Sequence, residues 1–247
     1  MDINYFKEYY TLERSHWWFT ARKNILESQI HKLVTTSSLK ILNIGVATGS
    51  TSEMLSKYGE VTSVEFDHEC CEFLRSELKM EVIEGSITEL PFQSHTFDLI
   101  CAFDVVEHVE DHEKAVLEMK RVCKSQGTVF CTVPAFSFLW SQHDDVNHHI
   151  RRYTGREFST LFSNSGKITY STYFNFFLFL PVACFRLFSR ILPFAIKRKG
   201  AGSDFTLNGS AIFSNLFYKI FNSENVLLQR QYSLPFGISY LLIWKKN

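Results

Sequence analysis

Leu39-Lys40-Ile41-Leu42-Asn43-Ile44 runs straight into Gly45-Val46-Ala47-Thr48-Gly49-Ser50, and helix-forming residues take over from Thr51. A strand, a glycine-bearing turn and a helix in that order bring backbone amides and a helix N-terminus close to a ligand beyond the strand. The same rhythm continues outward from this point. Residues 60–66 are β-rich and lead into a charged helical stretch, 68–78; residues 80–85 and 96–103 are a third and a fourth strand. Between Asp111 and Cys123, Ala115, Val116, Met119 and Val122 recur at the spacing of a one-faced helix. Residues 127–133, stopped by Pro134, are a fifth strand. Near-continuous apolar strands separated by helices imply a parallel sheet covered on both faces. The expected fold is α/β: a doubly wound, seven-stranded, mostly parallel sheet whose ligands sit beyond the carboxyl ends of its strands.

After Pro134 the texture changes. A polar loop rich in His and Arg, 136–153, precedes a helix near 155–164 and a strand near 167–173. An aromatic stretch, 174–232, lacks the βα rhythm and reads as a helical insertion before a last strand within 233–247, expected to be antiparallel. Residues 1–38 read as a helical cap, one helix over 5–32 carrying Trp17, Trp18 and Phe19, packed over the cleft. Residues 39–173 are the ligand-binding core with its loop, all in one domain.

The whole chain has 247 residues, of which 45% are hydrophobic and 21% charged, an ordinary globular composition. Lys+Arg and Asp+Glu both number 26, so the basic excess of a nucleic-acid binder is missing. The six Cys show no CxxC spacing, and the opening MDINYFKEYY has neither the basic start nor the apolar core of a signal peptide. A reduced, cytoplasmic protein without structural disulfides or a metal is the expectation.

The turn alone admits two readings. A dinucleotide fingerprint asks for Gly at positions one, three and six, and only Gly45 fits, because Ala47 and Ser50 hold the others. A GxGxG turn asks for Gly at one, three and five, and Gly45 and Gly49 fit. At the end of the second strand, Glu65 is a carboxylate able to accept both hydroxyls of a ribose.

These residues resemble the class I S-adenosylmethionine-dependent methyltransferases, a Rossmann-like fold, particularly the broad group that includes ubiquinone-biosynthesis methyltransferases. ILNIGVATGS is similar to their first motif, VEFD to the second, EGSITELPF to the third and FDLICAFDVVEHV to the fourth, over about residues 39–134. A narrower resemblance, to a bacterial subgroup found alongside cell-surface glycan and lipid-linked sugar synthesis, rests on His16–Phe19, Val133–Phe136, Leu139–Asp144, His149–Tyr153 and Pro235–Ser239. The resemblance implies S-adenosylmethionine as cofactor. Gly45 and Gly49 would approach its methionine part, with Asn43 and Ala47 in the same turn. Glu65, with Phe66 beside it, would meet the ribose, Ser86 and Ile87 the adenine, and Asp104 the ammonium or the acceptor entrance. Asn43 and Ala47 depart from the usual Asp and middle Gly, and Ser86 from a common Asp.

The loop past the fifth strand lies where the methyl group would point. There His143 is the candidate base, Asp144 an orienting carboxylate and His149 an assistant. Arg151 and Arg152 suit a carboxylate or phosphate, and Tyr153 and His108 complete the acceptor side. The expected reaction is methyl transfer, at oxygen, to a small-molecule or lipid-linked acceptor. The alternatives are a nicotinamide-dependent reductase on a similar sheet and a non-catalytic adenosyl-binding scaffold. Residues 168–185 carry no charge but are too short, and too interrupted by Asn175 and Pro181, for a transmembrane span. Arg186 and Arg190 amid apolar residues suggest an amphipathic segment, 173–199, offering peripheral membrane contact as an alternative to a lid.

Overall fold

In the computed structural model, which describes residues 3–34, 38–191 and 211–247, the opening apolar run is β1 (Leu39–Ile44) and its turn leads into α3 (Ser50–Leu55). The βα alternation continues through β2 (Gly59–Glu65), α4 (His68–Ser76), β3 (Ile83–Glu84), β4 (Phe97–Phe103), α5 (His112–Val122) and β5 (Cys123–Pro134). Then come α6 (Gln142–Val146), α7 (Gly155–Leu161) and β6 (Gly166–Phe174). The insertion helices α8 (Phe179–Ile191) and α9 (Ala211–Gln229) follow, and β7 (Ser239–Lys246) closes the chain. The seven strands lie in the order β3-β2-β1-β4-β5-β7-β6, with β7 antiparallel to both its neighbours and the pairs from β3 to β5 parallel.

Alternation along the central strands builds a core on each face. Ile100 and Ala102 of β4 join Met119 of α5, Phe158 of α7 and Trp244 of β7 on one side. Leu99, Cys101 and Phe103 turn the other way, against the N-terminal and insertion helices. All six Cys are free thiols and five are buried. Buried thiols behave as small apolar side chains.

Three element assignments differ from the sequence expectation. The third strand shrinks to two residues, and the fifth starts at Cys123 rather than at Gly127. The single N-terminal helix is two, α1 (Ile3–Ser15) and α2 (Trp17–Leu33). His16 breaks it: its backbone is extended, at φ −74° and ψ 135°, and its side chain accepts from the Trp18 amide as the N-cap of α2. Both tryptophans join the cap to the insertion, Trp17 tilted on Phe217 and Trp18 on Phe221, with ring centroids 5.5 and 6.3 Å apart.

Candidate active site

Strand order reverses between β1 and β4, and crevices open beyond the carboxyl ends of strands at such a switch point. A cavity of about 1130 Å³ lies there, walled by the β1 turn, the ends of β2 and β4, the 136–153 loop, α1, α2, α8 and α9. That exceeds the ~300–1000 Å³ typical of a small-ligand pocket, giving room for a cofactor and an acceptor side by side.

At the cofactor end, Gly45 adopts φ +76°, and a Cβ there would lie 2.4 Å from Val105 Cγ2. Only glycine fits this close approach. Ala47, on the cavity wall, also sits in the left-handed region at φ 49°, a conformation that costs an L-residue about 1 kcal/mol. Glu65 ties the turn to the second strand: Oε2 accepts from the Val46 and Ala47 amides at 2.8 and 3.2 Å, and Oε1 from Phe66 and Asp67 at 2.8 and 3.1 Å. This carboxylate lines the cavity with all its lone pairs directed at backbone, so a sugar diol has to take over some of those positions. Phe66, Ser86 and Ile87 line the same end, Phe66 exposed and Ser86 bonded to Thr88 at 2.9 Å. The glycine cradle and the Glu65 carboxylate fit an adenosyl cofactor with an amino-acid tail.

Two of the expected cofactor residues stand off the wall. Asn43 is fully buried within the sheet and donates to Ser52 Oγ at 2.8 Å, which in turn contacts Ser63 Oγ. Gly49 is the left-handed N-cap of α3, and its missing Cβ would point at Met80 and Leu74 rather than at the cavity. Both shape the turn from behind.

Asp104 does line the cavity, in a left-handed conformation at φ 56°. It is paired with Arg22 of α2, Nη2 to Oδ2 2.7 Å, and accepts from Thr132 at 3.0 Å. A second cap residue, Glu13 of α1, accepts from the Thr48 hydroxyl; burial raises its carboxyl above the usual range against the pull of Thr48 and Arg14. Neither Arg22 nor Glu13 belongs to a recognisable motif, and the cap reads in sequence only as helix.

The acceptor end gathers histidines. His108, His143, His148 and His149 line it together with Glu107, Arg152 and Arg186. Asp144 does not reach the cavity. It is fully buried and accepts from His149 Nδ1 at 2.8 Å, Arg152 Nε at 2.7 Å and the Ser141 amide at 2.8 Å. Burial favours its protonation, but the His149 bond and the Arg152 charge outweigh that and hold it well below the usual carboxylate range. Asp144 therefore sits behind the wall, bonded to His149 and Arg152. Arg151 points away, onto the Glu110 carbonyl at 3.1 Å, and Tyr153 is buried with its hydroxyl against His112 at 2.8 Å. Burial, then the neighbouring His149, push His108 down to about 4. Arg186, read in sequence as an interfacial cation, is instead buried and donates to the Leu139 carbonyl at 2.8 Å.

A doubly wound sheet of this order, with a glycine turn and a β2 carboxylate at its switch point, defines the Rossmann-like class of nucleoside-cofactor enzymes. Residues 42–131 match the family model described as "Methyltransferase domain". An uncharacterized methyltransferase of Schizosaccharomyces pombe is 38% identical over 107 residues, 37% of this chain and 38% of that protein. Phosphatidylethanolamine N-methyltransferase of Cereibacter sphaeroides is 32% identical over 97 residues, 36% of this chain and 48% of that protein. The chain thus spans less than half the length of either relative. The fold is shared with the YcgJ protein of Bacillus subtilis, TM-score 0.58 and 18% identity, covering 91% of this chain and 98% of that one. Residues 42–131 are a methyltransferase domain of the class I, S-adenosylmethionine-dependent kind.

Proposed function

We propose that the protein transfers a methyl group from S-adenosylmethionine to an oxygen of a small-molecule or lipid-linked acceptor. The observation that carries this is a single cavity joining the Gly45–Ala47 turn and Glu65 at one end to His143, His149 and Arg152 at the other. Bound there, the cofactor supplies a sulfonium methyl carbon open to in-line attack. The chain's own residues do the rest. Gly45, Ala47, Glu65, Ser86 and Ile87 hold the adenosyl and methionine parts. Arg152 and Arg186 receive an anionic group on the acceptor. His143, which lines the cavity, takes the acceptor's hydroxyl proton. Apolar walls from Trp17, Leu178, Pro181, Val182, Phe213 and Phe217 exclude water and accommodate an aliphatic tail.

Peripheral membrane contact through 173–199 belongs to the same proposal, though 192–199 lie outside the described residues. Leu180, Leu187 and Phe188 of α8, with Ile212 and Leu216 of α9, are exposed beside the cavity-lining residues of these helices. Among the described residues no helix is long and apolar enough to cross a membrane. A lipid-linked acceptor places its headgroup within reach of such a surface, and C. sphaeroides phosphatidylethanolamine N-methyltransferase is a relative named for a lipid acceptor. The test is transfer of labelled methyl from S-adenosylmethionine to a panel of phenolic, carboxylic and polyprenyl-phosphate acceptors, with and without anionic vesicles. Incorporation that needs Arg152 supports the reading; hydride exchange with NAD(P)H, or no incorporation into any acceptor, overturns it.

A further inference from the structure

Among the described residues, Glu107 has both carboxylate oxygens buried and unpartnered. It is fully buried in the short turn after β4. A buried, unpartnered carboxylate costs several kcal/mol unless something else satisfies it. It lines the cavity, and one ligand atom each from Glu107, His108 and His149 lie within 4.8 Å of one another. The two imidazoles meet edge to face, centroids 4.8 Å apart.

A second arrangement points the same way. Asp144 engages His149 at Nδ1, which leaves Nε2 with its lone pair free. A carboxylate holding the far nitrogen of a histidine is the usual support behind a metal-bound imidazole. The two cations that act on Glu107, Arg22 and Arg152, are each paired with another carboxylate, Arg22 with Asp104 and Arg152 with Asp144.

We propose that Glu107, His108 and His149 form a binding site for a divalent first-row transition metal, two imidazoles and one carboxylate on one side and the remaining positions open to the cavity. Two nitrogens and one oxygen suit Zn²⁺, Co²⁺ or Fe²⁺ better than Mg²⁺ or Ca²⁺, which prefer all-oxygen sets. Its role, which rests on the methyl-transfer reading, is to bind the acceptor's oxygen and ease loss of its proton. The O–H proton leaves to His143 and then to solvent. An oxygen lone pair forms the new O–CH₃ bond as the C–S bond breaks toward sulfur, giving S-adenosylhomocysteine and one H⁺. No oxidant or reductant enters.

The test uses the full chain stripped of metal by a chelator and titrated with Co²⁺ and Zn²⁺, followed by calorimetry and by visible absorption of the cobalt form. One equivalent of Co²⁺ with a low-coordinate visible band is expected. Glu107→Gln and His108→Ala each weaken binding at least about tenfold, while His68→Ala, a surface histidine paired with Glu84, leaves it unchanged. Thermal unfolding of each variant separates lost ligation from lost fold, and His108, open to the cavity, supplies the milder variant. Absence of stoichiometric cobalt binding, or binding that survives both substitutions, overturns the site. S-adenosylhomocysteine binding, measured separately, fails only if the cofactor reading is wrong.

Discussion

Arg22 of α2 and Asp104 at the end of β4 form an ion pair of 2.7 Å on the cavity wall, and Thr132 of β5 bridges them with contacts of 3.2 Å to Arg22 and 3.0 Å to Asp104. The cap is thereby fastened to the sheet at the junction of cofactor and acceptor ends. Arg22→Met keeps the aliphatic stem but removes the charge. It is expected to lower unfolding free energy by about 2 kcal/mol, since one partner of a mostly buried pair is left behind. Urea denaturation measures this, and a change below about 0.5 kcal/mol would mean that the pair does not secure the cap.

Glu65→Gln tests the carboxylate that joins two loops. Four backbone N–H groups converge on its oxygens, and a Gln would turn an NH₂ toward one pair of them. Two donors face to face cost about 2–3 kcal/mol, so S-adenosylhomocysteine affinity should fall by at least about thirtyfold in calorimetry. Glu65→Asp, which keeps the charge but shortens the reach, should fall less.

Gly45→Ala places a methyl 2.4 Å from Val105 Cγ2 on a backbone at φ +76°. Clash and left-handed backbone together cost about 2–4 kcal/mol. Adding Val105→Ala removes the clash but not the backbone strain. The double variant should therefore recover part of the lost melting temperature, and no recovery would place the cost elsewhere.

Much of this was legible from the chain. Near-continuous apolar runs, the first ending at Gly45, point to a parallel doubly wound sheet, and the last strand is expected to be antiparallel, as it is. The placement of Gly45, Ala47 and Glu65 on the cavity wall was readable because it depends on local backbone and strand end. What escaped depends on long-range packing. Asn43 looks like a turn residue in sequence, yet strand pleating aims it at Ser52 behind the sheet. Asp144 and Arg151 sit in the expected loop, but the short helix α6 turns Asp144 inward and Arg151 is drawn to Glu110. Arg186 shares its apolar surroundings with an interfacial helix, and only the neighbouring Leu139 carbonyl shows that it faces inward. Glu13 and Arg22 had no local signal at all, because their partners lie 35 and 82 residues away.

Glu224 of α9 gives a pH dependence. It is fully buried and accepts from the Phe177 amide at 2.9 Å. Burial raises its carboxyl to about 7 against the pull of the backbone amides at 175–177. A carboxyl with a folded value above its unfolded one holds its proton more tightly when folded. Its contribution is therefore complete below about 4.5 and fades as pH rises to about 7, by up to about 3 kcal/mol. Glu224→Gln should flatten the melting temperature between pH 5 and 8; an unchanged slope would assign the dependence to another group.

The most direct measurement is calorimetric titration of the whole chain with S-adenosylhomocysteine, followed by a crystal structure of the complex. One equivalent should bind, with the ribose hydroxyls on Glu65, the adenine against Ser86 and Ile87, and the amino-acid tail beside Gly45 and Ala47. No heat of binding at millimolar ligand, or a nucleoside lodged away from Glu65, would contradict it.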